Sequence, residues 1–337
     1  MNIVAERSTV ACIDAAIANG VNFLSSVQLG YGEFQSYKSH KPDLSEDCIT
    51  YMGSSPYITT FVLYSLGFVK HPQTATITQK AIAFFENDAL EPGIWRFFTT
   101  NNKLFYLNGE FVRGRGGIVP DLDDTCCVAY ALQANNINFN NRDIILQNRN
   151  PQGLFYTWLL DEKWRKNRGQ ITVPPKNDIC CGVNANVLLY LGENQETQAV
   201  CQYLNEVVLG DREISSSVYF QDRTTIHYLI SRAFFSGVKS LQPCKNSIVE
   251  KIFSLQQDDG SFGNALTTAF AVCTLLNFNC TDIRIKQAIE FLIASQSDKG
   301  TWSKAGFFIS TASYYGSDEF TTSICLEAIA RSRFLFV

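Results

Sequence analysis

AIEFLIASQSDKGTW, residues 288–302, closes an apolar helical pattern with a glutamine, a turn and a tryptophan. Phe291 and Leu292 are followed by Gln296, Gly300 and Trp302. The same offsets recur in GVNFLSSVQLGYGEF (20–34), with Phe23, Leu24, Gln28, Gly32 and Phe34, and in IVEKIFSLQQDDGSF (248–262), with Gln256, Gly260 and Phe262. AIAFFENDALEPGIW (81–95) keeps Phe84, Phe85, Gly93 and Trp95 but has Ala89 where the glutamine stands, and a fainter copy ends at Gly153 and Phe155. Five copies at matched offsets define a repeat architecture. Each reads as an amphipathic helix with apolar residues at i, i+3, i+4 and i+7. The glutamine can bond the next turn's backbone, the glycine turns the chain and the aromatic plugs the junction.

Between these units lie second helices that are apolar nearly all round: FVLYSL, CCVAYAL, VLLYLG, IHYLIS, AFAVCTLL and SICLEAIA. Such helices are buried. Each is opened by small polar residues that suit an N-cap: Thr59-Thr60, Asp124-Thr125, Asn184-Ala185-Asn186, Thr224-Thr225, Thr267-Thr268 and Thr321-Thr322. Six outer–inner pairs predict an all-α fold, an (α/α)6 toroid whose inner helices start around one end of a central cavity, with few or no strands. Long connections near 36–56, 100–120 and 156–178 are candidate lids or binding loops. No linker composition marks a second domain, so residues 1–337 are expected to form one.

The chain is 46% hydrophobic and 13% aromatic, enough for a large core with rings left over for a pocket. A net charge of −4 argues against a nucleic-acid partner. No apolar run of about 18 residues is evident, and MNIVAERSTV carries charge where a signal peptide needs its apolar run. Eleven cysteines, including the adjacent pairs Cys126-Cys127 and Cys180-Cys181, read as reduced, buried thiols of a cytoplasmic protein. His40, His71 and His227 lie far apart, so no metal site is expected, and His227 on an inner helix reads as a satisfied core histidine.

VPDLDDTCCVAYAL, 119–132, crowds three aspartates at the start of an inner helix. An acidic N-cap explains one of them; three are surplus. The helix N-terminus favours the charged form by about 0.3–1 kcal/mol. Desolvation and a neighbouring carboxylate favour the neutral form, by up to about 3–5 pKa units when burial is complete. In an apolar cavity the second effect should win, and the cluster should titrate as a coupled unit holding one proton tightly.

DLDDT resembles the DxDDT motif of class II terpene cyclases, the group that includes squalene-hopene cyclases, and the repeats resemble that family's Q-x3-G-x-W motifs, intact here at Gln296, Gly300 and Trp302. The resemblance runs across almost the whole chain. It implies that Asp123 is the Brønsted acid that protonates a terminal alkene or epoxide, with Asp121 and Asp124 tuning it. DICCGVNANVLLYL resembles the segment whose histidine orients that acid; here the matching residue is Asn186, a neutral donor that would leave the acid weaker and suited to a trisubstituted alkene. Its neighbour Asn184 is a further candidate, with a helix cap as the alternative for both. Hopene cyclases have more than one helical domain. With room for only one, this chain resembles bacterial single-domain meroterpenoid cyclases, which act on a polyprenyl chain attached to an aromatic head group.

That chemistry needs a dry chamber lined with aromatic faces. Candidates are Tyr57, Phe61, Tyr228 and Phe270 on inner helices and Phe307, Phe308, Tyr314 and Tyr315 in the last loop. Trp95, Trp302, Phe34 and Phe262 read as structural plugs. Arg96, Arg113, Arg115 and Arg168 could meet an acidic head group. No cofactor is implied; the expected partner is a hydrophobic prenylated small molecule, with peripheral membrane contact for its uptake. Two alternatives remain. Protein prenyltransferase β subunits share the toroid and hold zinc; Asp178-Ile179-Cys180 mimics two of their ligands, but Thr321-Thr322 stands where a histidine should be. A non-catalytic isoprenoid-binding toroid would keep the pocket without needing three aspartates. Class I synthases use DDxxD, whereas Asp258-Asp259 is followed by GSF.

Overall fold

The computed structural model describes residues 3–44, 51–99, 104–107, 110–113, 118–165, 177–310 and 313–336. The helices, in chain order, are α1 (Ile3–Val27), α2 (Pro56–Leu66), α3 (Thr74–Asp88), α4 (Leu122–Gln133), α5 (Arg142–Gln147), the short α6 (Glu162–Arg165), α7 (Cys181–Leu191), α8 (Gln198–Leu209), α9 (Arg223–Phe235), α10 (Lys245–Phe253), α11 (Ala265–Asn277), α12 (Ile283–Ala294) and α13 (Asp318–Ser332). The inner helices α2, α4, α7, α9, α11 and α13 each pack on the next, and α13 packs back on α2. This closed ring is the expected toroid, with α1, α3, α5, α8, α10 and α12 outside it.

The repeat motif explains how the two layers are joined. Gln28, Gln256 and Gln296 each donate through Nε2 to the carbonyl of their own repeat glycine: Gly32, Gly260 and Gly300. The same amide nitrogens reach the neighbouring outer helix, at Ile77 of α3, Arg284 of α12 and Ala16 of α1. Where Ala89 replaces the glutamine, Asn141 Nδ2 takes the Gly93 carbonyl instead, at 2.8 Å. The repeat glycines have positive φ, 80° at Gly300. A Cβ there would lie 2.5 Å from the Asn19 carbonyl oxygen, so only glycine lets the turn press against α1. The aromatic plugs are buried, and Trp95 and Trp302 donate their indole N–H to the Phe85 and Leu292 carbonyls.

The small polar residues that open the inner helices are not the N-caps expected of them. Ser55, Asp121, Asp222, Asn264 and Ser317 cap α2, α4, α9, α11 and α13, while Cys180 precedes α7 without a side-chain cap bond. The expected residues lie up to a turn further in, and several accept the backbone N–H of a plug. Thr59 Oγ1 takes Phe34 N, Thr125 takes Trp95 N, Thr268 takes Phe262 N and Thr322 takes Trp302 N. Asn184 Oδ1 does the same for Phe155 N at 2.9 Å. The plug must turn inward, and its buried N–H needs an acceptor there.

The strands are few, as expected, and two other expectations change. The mouth of the ring carries short strands: β1 (Ser36–Ser39), β2 (Tyr51–Gly53), β3 (Leu104–Leu107), β4 (Glu110–Arg113), β5 (Phe308–Ser310) and β6 (Ser313–Gly316). β3 and β4 form a hairpin, and the antiparallel order β2–β1–β6–β5 ties the loop after α1 to the loop before α13. Within α1, Val10–Val27 is by length and composition apolar enough to cross a bilayer, although the sequence reading found no such run. In the fold this stretch packs along α13, with Asp14 paired to Arg333. The described cysteines are free thiols and mostly buried, but Cys12 is exposed.

Thr268→Val leaves the buried Phe262 N–H without an acceptor and is expected to lower unfolding free energy by about 1–3 kcal/mol. Gly300→Ala adds backbone strain and a clash with α1, costing more than about 1 kcal/mol. Urea denaturation of both variants checks this; wild-type midpoints would refute the proposed joint between layers.

Candidate active site

Asp121 caps α4 and lies in extended backbone before it, so the next two aspartates occupy the first turn with their carboxyls at the mouth of the ring. Neighbouring segments hold the cluster in place. Leu122 N donates to the Thr157 carbonyl at 2.8 Å, and Thr157 N to the Asp178 carbonyl at 3.0 Å. The Asp121 carboxylate accepts Asp124 N at 2.8 Å and Phe97 N at 3.2 Å. It therefore serves as the single acidic cap that the helix needs.

Asp124 is buried, its Oδ1 has no hydrogen-bond partner among the described residues, and its carboxyl bonds that of Asp121. Burial, then the charges of Asp121 and Asp123, push its pKa well above the usual carboxylate range. Burial also pushes Asp121 up to about 7. Burial and mutual repulsion favour one shared proton in this pair, with Asp124 the more strongly raised of the two.

All three aspartates border one cleft, and Asp123 is the least buried of them. Asn186 Nδ2 donates to its Oδ1 at 2.7 Å and also contacts the Tyr57 hydroxyl at 3.1 Å. Tyr57 in turn hydrogen-bonds Asp123, and burial keeps that phenol protonated and therefore a donor. Desolvation raises the Asp123 pKa to about 6, against the hydrogen bonds from Asn186 and Tyr57, which favour the carboxylate.

The cleft is walled by Tyr57, Phe97, Phe98, Ile118, Trp158, Tyr219, Phe220 and Phe308, with Asp121, Asp123, Asp124, Thr157 and Ser310. Asp178 anchors one wall. It accepts the Trp158 indole N–H at 3.2 Å, the Tyr219 hydroxyl at 2.7 Å and the Thr157 hydroxyl. Beneath lies Phe307, with its ring stacked on Phe320 at 4.3 Å and contacting Tyr57, Phe61, Phe220 and Phe270. It fills the axis of the ring and separates the cleft from the deeper aromatics.

The expected residues thus divide. Asp121, Asp123, Asp124, Asn186, Tyr57 and Phe308 come together at one cleft. Phe61 and Tyr228 are core residues below Phe307; the Tyr228 hydroxyl bonds Glu327 at 2.8 Å. Phe270 and Tyr314 line a second cleft beyond Phe308. Tyr315 stacks on the back of Phe308 at 4.8 Å. Asn184 is no substrate contact: it is fully buried, with its amide bonded to Phe155 N, Phe155 O and Cys180 O. Arg96 is half-buried and donates to the Phe98 carbonyl. Arg115 and Arg168 lie outside the described residues, as does the side chain of Arg113. His227 bonds Glu213 at 2.9 Å in the core. The sequence reading missed Phe97, Phe98, Trp158, Tyr219 and Phe220; the only signal was that Phe97 and Phe98 follow the Trp95 plug directly.

No family model and no curated protein matches the chain. Solved structures do. A structure of type II terpene cyclase MstE from Scytonema superposes with a TM-score of 0.69 at 16% identity, covering 96% of this chain and 99% of that one. A variant of that enzyme in complex with geranylgeranyl dihydroxybenzoate, its substrate, gives 0.69 at 16% identity over 98% and 99%. The ent-copalyl diphosphate synthase of Streptomyces platensis gives 0.54 at 15% identity, covering 82% of this chain and 50% of that one. The chain therefore has the toroid fold of the type II terpene cyclases.

Raised carboxyl pKa values mean that the native state binds more protons than the unfolded chain. Stability should be greatest below about pH 4 in this respect, and should fall as pH rises through about 6–7, where Asp123 and Asp121 ionise. Asp124→Asn keeps a donor to Asp121 and removes the most strongly raised group. Its stability–pH curve is expected to be flatter, with a gain over wild type above pH 7; parallel curves would contradict a shared buried proton.

Proposed function

We propose that this protein is a class II terpene cyclase acting on a linear polyprenyl chain joined to an aromatic head group, with Asp123 as the initiating acid. The observation that carries the reading is that Asp123, the least buried of three acids bordering an aromatic cleft, is held by Asn186, while Asp121 caps the helix and Asp124 is buried against it. The toroid fold it shares with type II cyclases supports the reading.

A polyprenyl chain entering the cleft displaces water and pushes Asp123 further toward its neutral form. Asn186 holds Oδ1, so the transferable proton belongs on Oδ2. Its transfer to a terminal alkene carbon leaves a carboxylate and a tertiary cation. Asn186 and Tyr57 then donate to the carboxylate. Inner alkenes close the rings, the cation loses a final proton to water, and Asp123 regains a proton from solvent before the next turnover. The faces of Tyr57, Phe97, Trp158, Tyr219, Phe220 and Phe308 stabilise positive charge without attacking it, each by up to about 2 kcal/mol. Trp158 and Tyr219, held by Asp178, suit stacking on an aromatic head group. A substrate this apolar is taken up from a membrane surface, with the protein in the cytoplasm and in peripheral contact.

Asp123→Asn should abolish turnover, by a factor on the order of 10²–10⁴, while leaving affinity for a prenylated aromatic nearly unchanged. Product analysis and fluorescence binding on wild type and variant test this; a variant that turns over normally would remove Asp123 as the acid, and a wild type that binds without forming product would be a carrier. Phe307→Ala should deepen the cleft into the ring axis and shift preference between prenyl chains toward the longer by about tenfold or more. Competition between chains that differ by one isoprene unit reads this directly.

A further inference from the structure

Arg232 lies in the last turn of α9 and is 1% exposed. Its guanidinium lies 4.5 Å from the Phe61 ring centre, 4.3 Å from that of Tyr64 and 5.6 Å from that of Tyr228. Nε and Nη1 have no hydrogen-bond partner among the described residues. This contrasts with the part-buried Arg331 of α13, which donates to Glu327 at 2.7 Å. The same Glu327 also accepts the Tyr228 and Ser65 hydroxyls through its other oxygen. An unpaired buried charge costs several kcal/mol, more than ring faces return. Something else must favour keeping it.

The position of Arg232 suggests what that is. Its ring neighbour Phe61 packs on Tyr57 at 5.1 Å, and Tyr57 shares Asn186 with Asp123. Cys127, one turn below Asp123 on α4, also lies in the field of Arg232. The groups that face Asp123 are Asp121, Asp124, Cys126 and Cys127 of α4, Tyr57 of α2, Asp178 and Asn186 at α7, and Arg232 of α9. Those around Arg232 are Tyr57 and Tyr64 of α2, Cys127 and Tyr130 of α4, and Tyr228 of its own helix, with Glu327 of α13 beyond. Of all these only Arg232 brings a positive charge to Asp123. Glu327 is paired with Arg331, so when Asp123 gives up its proton, Arg232 is the cation among these groups that faces the new carboxylate.

We propose that Arg232 is a positioning residue that acts through Asp123, a buried cation kept without a counter-ion so that its field stabilises the conjugate base and strengthens the acid. Holding it between rings rather than carboxylates keeps that field intact. The catalytic use rests on the cyclase reading, but the effect on Asp123 does not. It also supplies the acidity that a neutral Asn186 cannot.

The test is an infrared titration of the ligand-free protein, following the protonated-carboxyl band that disappears in Asp123→Asn. Arg232→Met and Arg232→Gln are expected to move that midpoint up by about one pH unit, and Arg232→Lys to leave it near the wild-type value. With a polyprenyl substrate, the neutral variants should lose up to about tenfold in kcat, with the alkaline limb of the profile displaced upward equally. An unmoved midpoint in a neutral variant with a wild-type circular dichroism spectrum overturns the proposal. So does a lysine variant shifted as far as the methionine one, because shape rather than charge would then be responsible. A shifted midpoint in a protein that cyclises no polyprenyl substrate upholds the role of Arg232 and rejects the cyclase reading.

Discussion

A backbone N–H that must be buried governs the layout of this molecule. Each aromatic plug turns inward between an outer and an inner helix, and its amide goes with it. In five repeats a threonine or asparagine of an inner helix accepts that amide. The hydrogen bond fixes the height of the inner helix relative to the outer one. Because the repeats share one lock, the inner helices begin at one level around the ring. A common mouth follows, and so does the place where α4 presents its acids.

The site uses this geometry to separate three chemically identical groups. Asp121 is drawn to the helix N-terminus, Asp124 is buried against it, and Asp123, the least buried, is held by Asn186 at the cleft. Environment gives them different protons and different tasks. Deeper in the ring two arginines differ in the same way: Arg331 has its carboxylate, and Arg232 has none among the described residues.

What could be read in advance follows from the distance over which each signal acts. The repeats are local, so their offsets announced the ring and the glutamine bond at Gln296. Asp123 and Asn186 carried recognisable surroundings, and they meet at 2.7 Å. Asn184 carried the same surroundings but serves Phe155, because residues two apart on a helix face different neighbours. Trp158 and Tyr219 owe their place to Asp178, a partner far along the chain that no spacing reveals. Arg232 sits in an ordinary apolar helix pattern, where a single charge reads as a surface residue until the ring is closed. The mouth strands arise from pairing between loops near opposite ends of the sequence, β1 with β6, which local propensity does not report.

The ring also has a seam. α1 meets α13 and α12, and Gln296 reaches Ala16 across 280 positions. During synthesis the first helix therefore leaves the ribosome long before the elements that cover its greasy flank exist. Contacts this distant are entropically slow to form, so the circle is completed last. Until then the apolar stretch of α1 has no inner helix to lie against.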